Sequence, residues 1–374
     1  MKKTTIHQLN EFGQSVWLDY ISRSLIDTGR LNRLIDQGVR GLTSNPTIFD
    51  KAISKSSDYD KYIRDSKEKR KTTFEMYDDI TVRDIQDAAD AFGEIYKSTN
   101  GDDGYVSLEI DPMLAYDKEK TVTEGKRLYA KVRRANVMFK VPSTDAGFSA
   151  VTALLAEGIN VNVTLIFSLQ QYVNTANAYL KGIEKLLQRG GDASRVRSVA
   201  SVFVSRVDTL ADDLIAARLQ SLSDDAEKAQ LAKLKGMSAI ANAAVIYDKY
   251  QEIFSGEKYN SLHKKGGNIQ RLLWGSTSTK NPAYSDTKYV TELIGKNTVN
   301  TIPEKTLEAF LDHGRMEEAL PGDMRQAQDV IKGLGRFGID INDVCKKLLE
   351  DGVVAFQKSF ASLLKAIEEK AAKL

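Results

Sequence analysis

The sequence predicts a (β/α)8 barrel with additional helices in two long connections and a helical C-terminal tail. Eight short β-rich runs recur along the chain, and helical patterns separate most of them. Strands alternating with helices build right-handed βαβ units and hence a parallel sheet. The competing arrangement is an open doubly wound sheet, but no GxGxxG or GxxxxGK loop follows any of the runs.

The runs, in order, are 15–20 (SVWLDY), 41–45 (GLTSN), 106–110 (VSLEI), 137–142 (VMFKVP), 160–168 (NVNVTLIFS), 199–205 (VASVFVS), 271–277 (RLLWGST) and 298–303 (TVNTIP). The helices between them have readable ends. Before the fourth run, 123–134 closes on Lys131, Arg133 and Arg134, cations suited to a helix C-terminus. After it, Thr144 or Asp145 caps a helix reaching Leu155 and ending near Gly158. After the fifth, Ser168 and Gln171 form a capping box, and Tyr172, Ala176, Tyr179, Leu180, Ile183 and Leu187 keep helical spacing until Gly190 and Gly191. Connections 46–105 and 206–270 are long enough to hold several helices each. The domain reading is therefore one barrel over 1–374, with 304–374 a helical extension packed on it.

Composition narrows the function classes. The chain has 374 residues, 42% of them hydrophobic and 28% charged, an ordinary globular balance. A net charge of +2 argues against a dedicated nucleic-acid binder. No run approaches 18 apolar residues, so no membrane partner is expected. The segment MKKTTIHQLNEFGQ is basic but lacks the apolar core of a signal peptide. One cysteine, Cys345, fits a reducing, cytoplasmic setting. His7, His263 and His313 lie far apart and show no ligand spacing, so no metal or other cofactor is expected.

Strands buried under helices should read as nearly all apolar, yet several runs are polar on one face only. Ser15, Trp17 and Asp19 alternate with Val16, Leu18 and Tyr20. Ser107 and Glu109 alternate with Val106, Leu108 and Ile110. Met138 and Lys140 oppose Val137, Phe139 and Val141, while Asn160, Asn162 and Thr164 oppose Val161, Val163 and Leu165. The apolar faces belong under helices, so the polar faces point into the barrel. Asp19, Glu109 and Lys140 each fall toward the C-terminal end of a strand, where barrel enzymes build their active sites. With Asn45, Asn162 and Thr164 they form a polar cluster at the barrel mouth.

Lys140 is the only charged residue in its run. Desolvation disfavours an ammonium ion, and a neutral amine can attack a carbonyl to form a Schiff base, an electron sink that needs no metal. Asp19 and Glu109 are the candidate proton carriers, and the amide and hydroxyl groups suit a polyhydroxylated carbonyl substrate. Arg206, at the end of the sixth run, and Lys280, in the GSTSTK loop after the seventh, are the phosphate-binding candidates. The run 65–71 (DSKEKRK) reads as a solvated helix face, and Cys345 as a small core residue. In the last helix, Phe356, Phe360, Leu363, Leu364 and Ile367 make one stripe that packs on the barrel or joins a second subunit.

The stretches LTSNPTIF (42–49), VSLEID (106–111), MFKVPST (138–144), NVNVTLIFS (160–168) and SVFVSRVD (201–208), taken in order, resemble the transaldolase family over about residues 15–303. Chain length and the STSTKNP segment resemble its longer bacterial branch. The resemblance implies a cofactor-free barrel enzyme of the pentose phosphate pathway. It would move a dihydroxyacetone unit from sedoheptulose 7-phosphate to glyceraldehyde 3-phosphate, giving erythrose 4-phosphate and fructose 6-phosphate. It further implies that Lys140 is the Schiff-base lysine and that Asp19 moves the hydroxyl proton in carbon–carbon cleavage. Glu109 and Thr164 match the pair that manages water, Asn45 and Asn162 hold the dihydroxyacetone hydroxyls, and Ser201 and Arg206 match substrate- and phosphate-binding positions. Ser278, among the hydroxyls of 276–278, is a further phosphate-binding candidate, and Lys280 falls where shorter members carry an arginine. A lysine there keeps the charge and loses the bidentate fork. Two rivals stand beside this reading: a class I aldolase releasing free dihydroxyacetone, and a silent sugar-phosphate-binding protein. A monomer and a homodimer fit equally well.

Overall fold

The computed structural model describes residues 3–374. Its eight strands are β1 (Gln14–Leu18), β2 (Gly41–Thr43), β3 (Tyr105–Glu109), β4 (Val137–Pro142), β5 (Val161–Ile166), β6 (Ser198–Phe203), β7 (Arg271–Gly275) and β8 (Thr298–Ile302). They pair in sequence order, all parallel, and β8 closes on β1 to complete a barrel.

The alternating faces sort as the polarity pattern requires. Val16, Leu18, Leu42, Val106, Leu108, Phe139, Val161 and Val163 face outward into the core shared with the surrounding helices. Inside the barrel a second, small apolar cluster of Trp17, Tyr105, Met138, Val199, Leu273 and Val299 fills the floor. Beneath it Arg271 pairs with Asp103 at 3.3 Å and donates to Ser15 Oγ at 2.7 Å, while Trp17 Nε1 donates to Asp103 at 3.2 Å. Gly41 is glycine because the Trp17 indole lies across it: a Cβ there would sit 2.7 Å from the ring. The interior is therefore a plugged core, and only its upper end is open to polar chemistry.

Helix ends follow the sequence signals closely. Ser168 caps Leu169–Gln188 through a reciprocal box with Gln171, and Thr144 caps Asp145–Leu155. The helix expected over 123–134 instead spans Lys118–Val132, because Asp117 supplies an earlier cap. Arg133 is its left-handed cap residue, and Arg134 turns away to Asp90. An unanticipated helix, Thr5–Phe12, precedes β1 behind its own capping box at Thr4. Several expected strands end early. Asp19 and Asn45 lie just past β1 and β2, and Ser205, the last residue of the sixth run, opens a helix, Ser205–Ser221.

Connection 46–105 holds Pro46–Ser54, Asp60–Glu68, Thr73–Ala91 and Gly93–Ser98. Connection 206–270 continues through Asp225–Ala232, Ser238–Ser255 and Glu257–His263. In the run 65–71 only the first four residues are helical, and Lys71, partly exposed, pairs with Asp79 at 2.6 Å. The tail forms Glu304–His313, Met324–Arg336 and the 33-residue helix Ile341–Lys373. This last helix lies across the barrel mouth: Phe360 packs edge-on against Tyr77 and Ser359 bonds Thr47 at 2.8 Å. Leu364 is only partly buried, whereas Phe356, Phe360, Leu363 and Ile367 are buried, as is Cys345. Among the described residues no helix is long and apolar enough to cross a membrane.

Candidate active site

Register brings the ionisable residues together. Glu109 pairs laterally with Lys140, and Lys140 with Asn162, so three neighbouring strands present them side by side. Lys140 Nζ lies 3.0 Å from Glu109 Oε2 and donates to the Ser44 carbonyl at 3.0 Å. The Phe356 ring of the last helix covers the amine at 5.9 Å. Lys140 and Glu109 are each only 5% exposed. A carboxylate so dry is costly, and burial pushes the Glu109 carboxyl above its ordinary range against the opposing pull of Lys140.

Lys140 opens onto a cavity of about 350 Å³ at the barrel mouth, lined also by Asp19, Asn45, Asn162, Thr164, Ser201, Arg206, Ser278 and Lys280. Nine of the ten predicted site residues therefore share one space. Glu109 is the exception. It does not line the cavity and reaches it only through Lys140, its lateral partner, whose amine it pairs with.

Asp19 is held by the strands that close the barrel. Its N–H donates to the Ile302 carbonyl, and Thr43 Oγ1 donates to its Oδ1 at 2.9 Å. Thr43 and Thr301 hydroxyls lie 2.7 Å apart. Since Thr43 spends its one proton on Asp19, Thr301 must donate to Thr43. Burial raises the Asp19 carboxyl, while Lys140 and the Thr43 hydroxyl draw it back. Asn45 caps the helix Pro46–Ser54, its Oδ1 accepting from the Ile48 N–H at 3.0 Å. That bond fixes the amide and commits its Nδ2 to the cavity side as a donor.

Asn162 is clamped from both sides. Its Nδ2 donates to Ser107 Oγ at 3.1 Å and its Oδ1 accepts from Ser201 Oγ at 2.6 Å. Thr164 Oγ1 is buried and has no partner among the described residues. Just beyond it the β5–β6 register shifts and Leu165 adopts φ +60°, a left-handed conformation that costs a non-glycine residue about 1–2 kcal/mol. Ser143 Oγ and Gln171 Nε2 both donate to the Leu165 carbonyl, at 2.8 and 3.2 Å, and so lock the bend that ends regular pairing beside Thr164.

The cationic side comes from β6 and β7. Arg206 stands in the first turn of its helix, stacked on Phe203 at 5.5 Å, and makes no ion pair among the described residues. Burial lowers its pKa, with Asp19 opposing. Lys280 belongs to an exposed loop but lines the cavity and donates to Ser278 Oγ at 2.6 Å. Partial burial, then repulsion from Arg206, lowers its pKa. The loop is fastened to the Arg206 helix at Ser276 (φ +54°), whose carbonyl accepts from the Ser205 N–H at 3.1 Å. Among the three hydroxyls, Thr277 turns away to the Thr301 carbonyl at 2.9 Å, so Ser276 and Ser278 are left to face the cavity.

Among the contributors that the sequence did not point to, Thr43, Thr301, Lys51 and Phe356 line the cavity. Thr43 was within reach, since it shares strand parity with Asn45. Lys51 and Phe356 sit on helices whose docking leaves no mark in the local pattern.

The chain is similar along nearly its whole length to proteins of one family. Residues 16–367 match the family described as Transaldolase/Fructose-6-phosphate aldolase. A protein of Trichodesmium erythraeum named Transaldolase is 44% identical over 370 residues, covering 98% of this chain and 97% of its own. One of Saccharopolyspora erythraea with the same name is 44% identical over 369 residues, covering 98% of each chain. Transaldolase 2 of a Nostoc species is 43% identical over 367 residues, covering 97% of this chain and 96% of its own. With its barrel, its buried lysine and this similarity along nearly its whole length, the chain belongs to the transaldolase/fructose-6-phosphate aldolase family.

Proposed function

We propose that the protein is a transaldolase that moves a dihydroxyacetone unit from sedoheptulose 7-phosphate to glyceraldehyde 3-phosphate through a Schiff base on Lys140. The observation that carries the reading is Lys140 itself, a buried amine facing a polar cavity with a buried carboxylate 3.0 Å behind it. Glu109, eased toward its neutral form by burial, takes the ammonium proton and leaves a nucleophilic amine. The amine adds to the ketose C2 carbonyl. Loss of water, with protons passed by Glu109 and the Thr164 hydroxyl, gives the iminium ion.

Asp19 then removes the C4 hydroxyl proton. The C3–C4 bond breaks, its electron pair flows into the iminium, and an aldose phosphate leaves. The three-carbon enamine stays, its hydroxyls held by Asn45, Asn162 and Ser201. A second aldose phosphate adds through the reverse steps, and water releases the ketose. Arg206, Ser278 and Lys280 hold the phosphate. We infer further that the protein works in the cytoplasm as a monomer or homodimer, states that sedimentation separates.

The test is product analysis from fructose 6-phosphate with and without erythrose 4-phosphate. Sedoheptulose 7-phosphate formed only with the acceptor supports transfer, whereas free dihydroxyacetone formed without it identifies an aldolase. Lys140→Ala abolishes turnover and borohydride trapping; substantial turnover in that variant refutes the mechanism.

A further inference from the structure

We infer that Lys51 is a third phosphate-binding residue of this site, and that the cavity recognises its phosphorylated substrate by a cluster of point charges drawn from three elements. The inference deepens the sugar-phosphate reading and rests on it. Thr47, Ile48 and Lys51 all line the cavity, at the i, i+1 and i+4 spacing of one helical face. Their helix, Pro46–Ser54, is fixed to the site at its start, where Asn45 caps it, and is tied to the last helix through the Thr47–Ser359 bond. Its opposite face, with Phe49, Ala52 and Ile53, is buried in the core. Lys51 is therefore presented to the cavity by a rigid element.

Charge balance gives the ligand. Glu109 already offsets Lys140. Arg206, Lys280 and Lys51 remain, none of them in an ion pair among the described residues, and Asp19 is the one carboxylate that lines the cavity with them. A phosphate monoester carries about −1.5 to −2 charges at pH 7, enough to answer such a surplus. Lys51 also stands near enough to Lys280 to repel it. Two lysines that repel each other across an aqueous rim and lack carboxylate partners are stabilised together by an anion placed between them.

The experiment titrates inorganic phosphate calorimetrically into the full-length protein at low ionic strength. It compares wild type with Lys51→Met, Lys51→Arg and Lys55→Met. Lys55 is an exposed lysine at the end of the same helix that does not line the cavity, so it controls for net charge. Lys51 is exposed and its side chain has no partner among the described residues, so its variants are expected to keep the wild-type melting temperature. Lys51→Met is expected to weaken phosphate binding on the order of 5–20-fold, the scale of one lost charge-assisted contact, while Lys51→Arg retains most of it. Equal affinity in Lys51→Met and Lys55→Met, or no phosphate binding by wild type, overturns the inference. The transfer assay on the same preparations separates the two readings. Transfer with an inert Lys51 leaves the proposed function standing, and lost binding in Lys51→Met without wild-type transfer leaves Lys51 standing alone.

Discussion

Removing the Lys140 side-chain charge strands a carboxylate in a dry place, and the consequence is measurable without any substrate. In Lys140→Met, Glu109 loses its one ion-pair partner among the described residues and keeps its buried position on the barrel wall. Deleting one partner of a buried pair costs about 3–5 kcal/mol when the other must remain charged. Glu109 avoids that cost by binding a proton, and its carboxyl is already raised by burial with Lys140 present. The unfolded chain releases its glutamate proton near pH 4.3, before the folded variant does. Over that window the folded state holds more protons, so stability falls as pH rises, by at most about 1.4 kcal/mol per pH unit. Denaturant unfolding of Lys140→Met should therefore show about 2–4 kcal/mol less stability at pH 8 than at pH 5, after the wild-type difference is subtracted. Glu109→Gln/Lys140→Met, with no carboxyl to titrate, should lack that fall. Parallel pH curves for the single and double variants would refute the claim that Glu109 is the stranded charge.

Three further outcomes follow from the geometry. Asp19 must be ionised to accept a hydroxyl proton, and burial raises its pKa, so the acid limb of kcat/KM lies above the ~4 of a free aspartate; Lys280→Met, which removes a cation favouring the carboxylate, moves that limb further up in a pH–rate profile. Ser201→Ala leaves the buried Asn162 Oδ1 without its donor, and steady-state kinetics should show kcat/KM lowered by about ten- to a hundredfold with the protein still folded. Gly41→Ala drives a methyl into the Trp17 ring and costs about 1–3 kcal/mol in thermal unfolding, less when combined with Trp17→Leu, which vacates the space.

The strand faces were legible because a buried parallel strand has no ordinary reason to be polar on one side. That asymmetry alone placed Asp19, Glu109, Lys140, Asn162 and Thr164 inside the barrel. Parity held even where the strand did not: Asp19 and Asn45 lie beyond their strands yet keep the direction that alternation assigns. Depth along the barrel axis was less legible. Glu109 and Lys140 are direct register partners, yet the longer lysine side chain reaches the cavity and the carboxylate stays out of it. Contacts closing the ring were hidden as well, since Thr43 and Thr301 meet only because β8 pairs with β1. Phe356 is one position in an amphipathic stripe, and nothing in the stripe tells that its helix crosses the mouth and not the barrel wall. Such placements are tertiary decisions, made by packing between segments hundreds of residues apart.

In the proposed mechanism the two carboxylates of the site are proton carriers with different tasks. Glu109 is removed from the cavity, buried, and among the described residues pairs with the amine alone. Asp19 lines the cavity, takes a hydroxyl bond from Thr43, and feels Lys280 and Arg206 as well as Lys140. Burial pushes both groups toward the neutral acid, but the opposing pulls differ. Glu109 has one cation to resist that push, and forming a Schiff base draws the amine's electrons and its proton away from the pair. Asp19 keeps its hydroxyl donor and its distant cations throughout, whatever the state of Lys140. In the proposed mechanism this lets Glu109 exchange a proton with the amine while Asp19 remains ionised for the substrate hydroxyl. Swapping the two residues would keep the site's formal charge and abolish that division, because the work of each carboxylate is set by its surroundings.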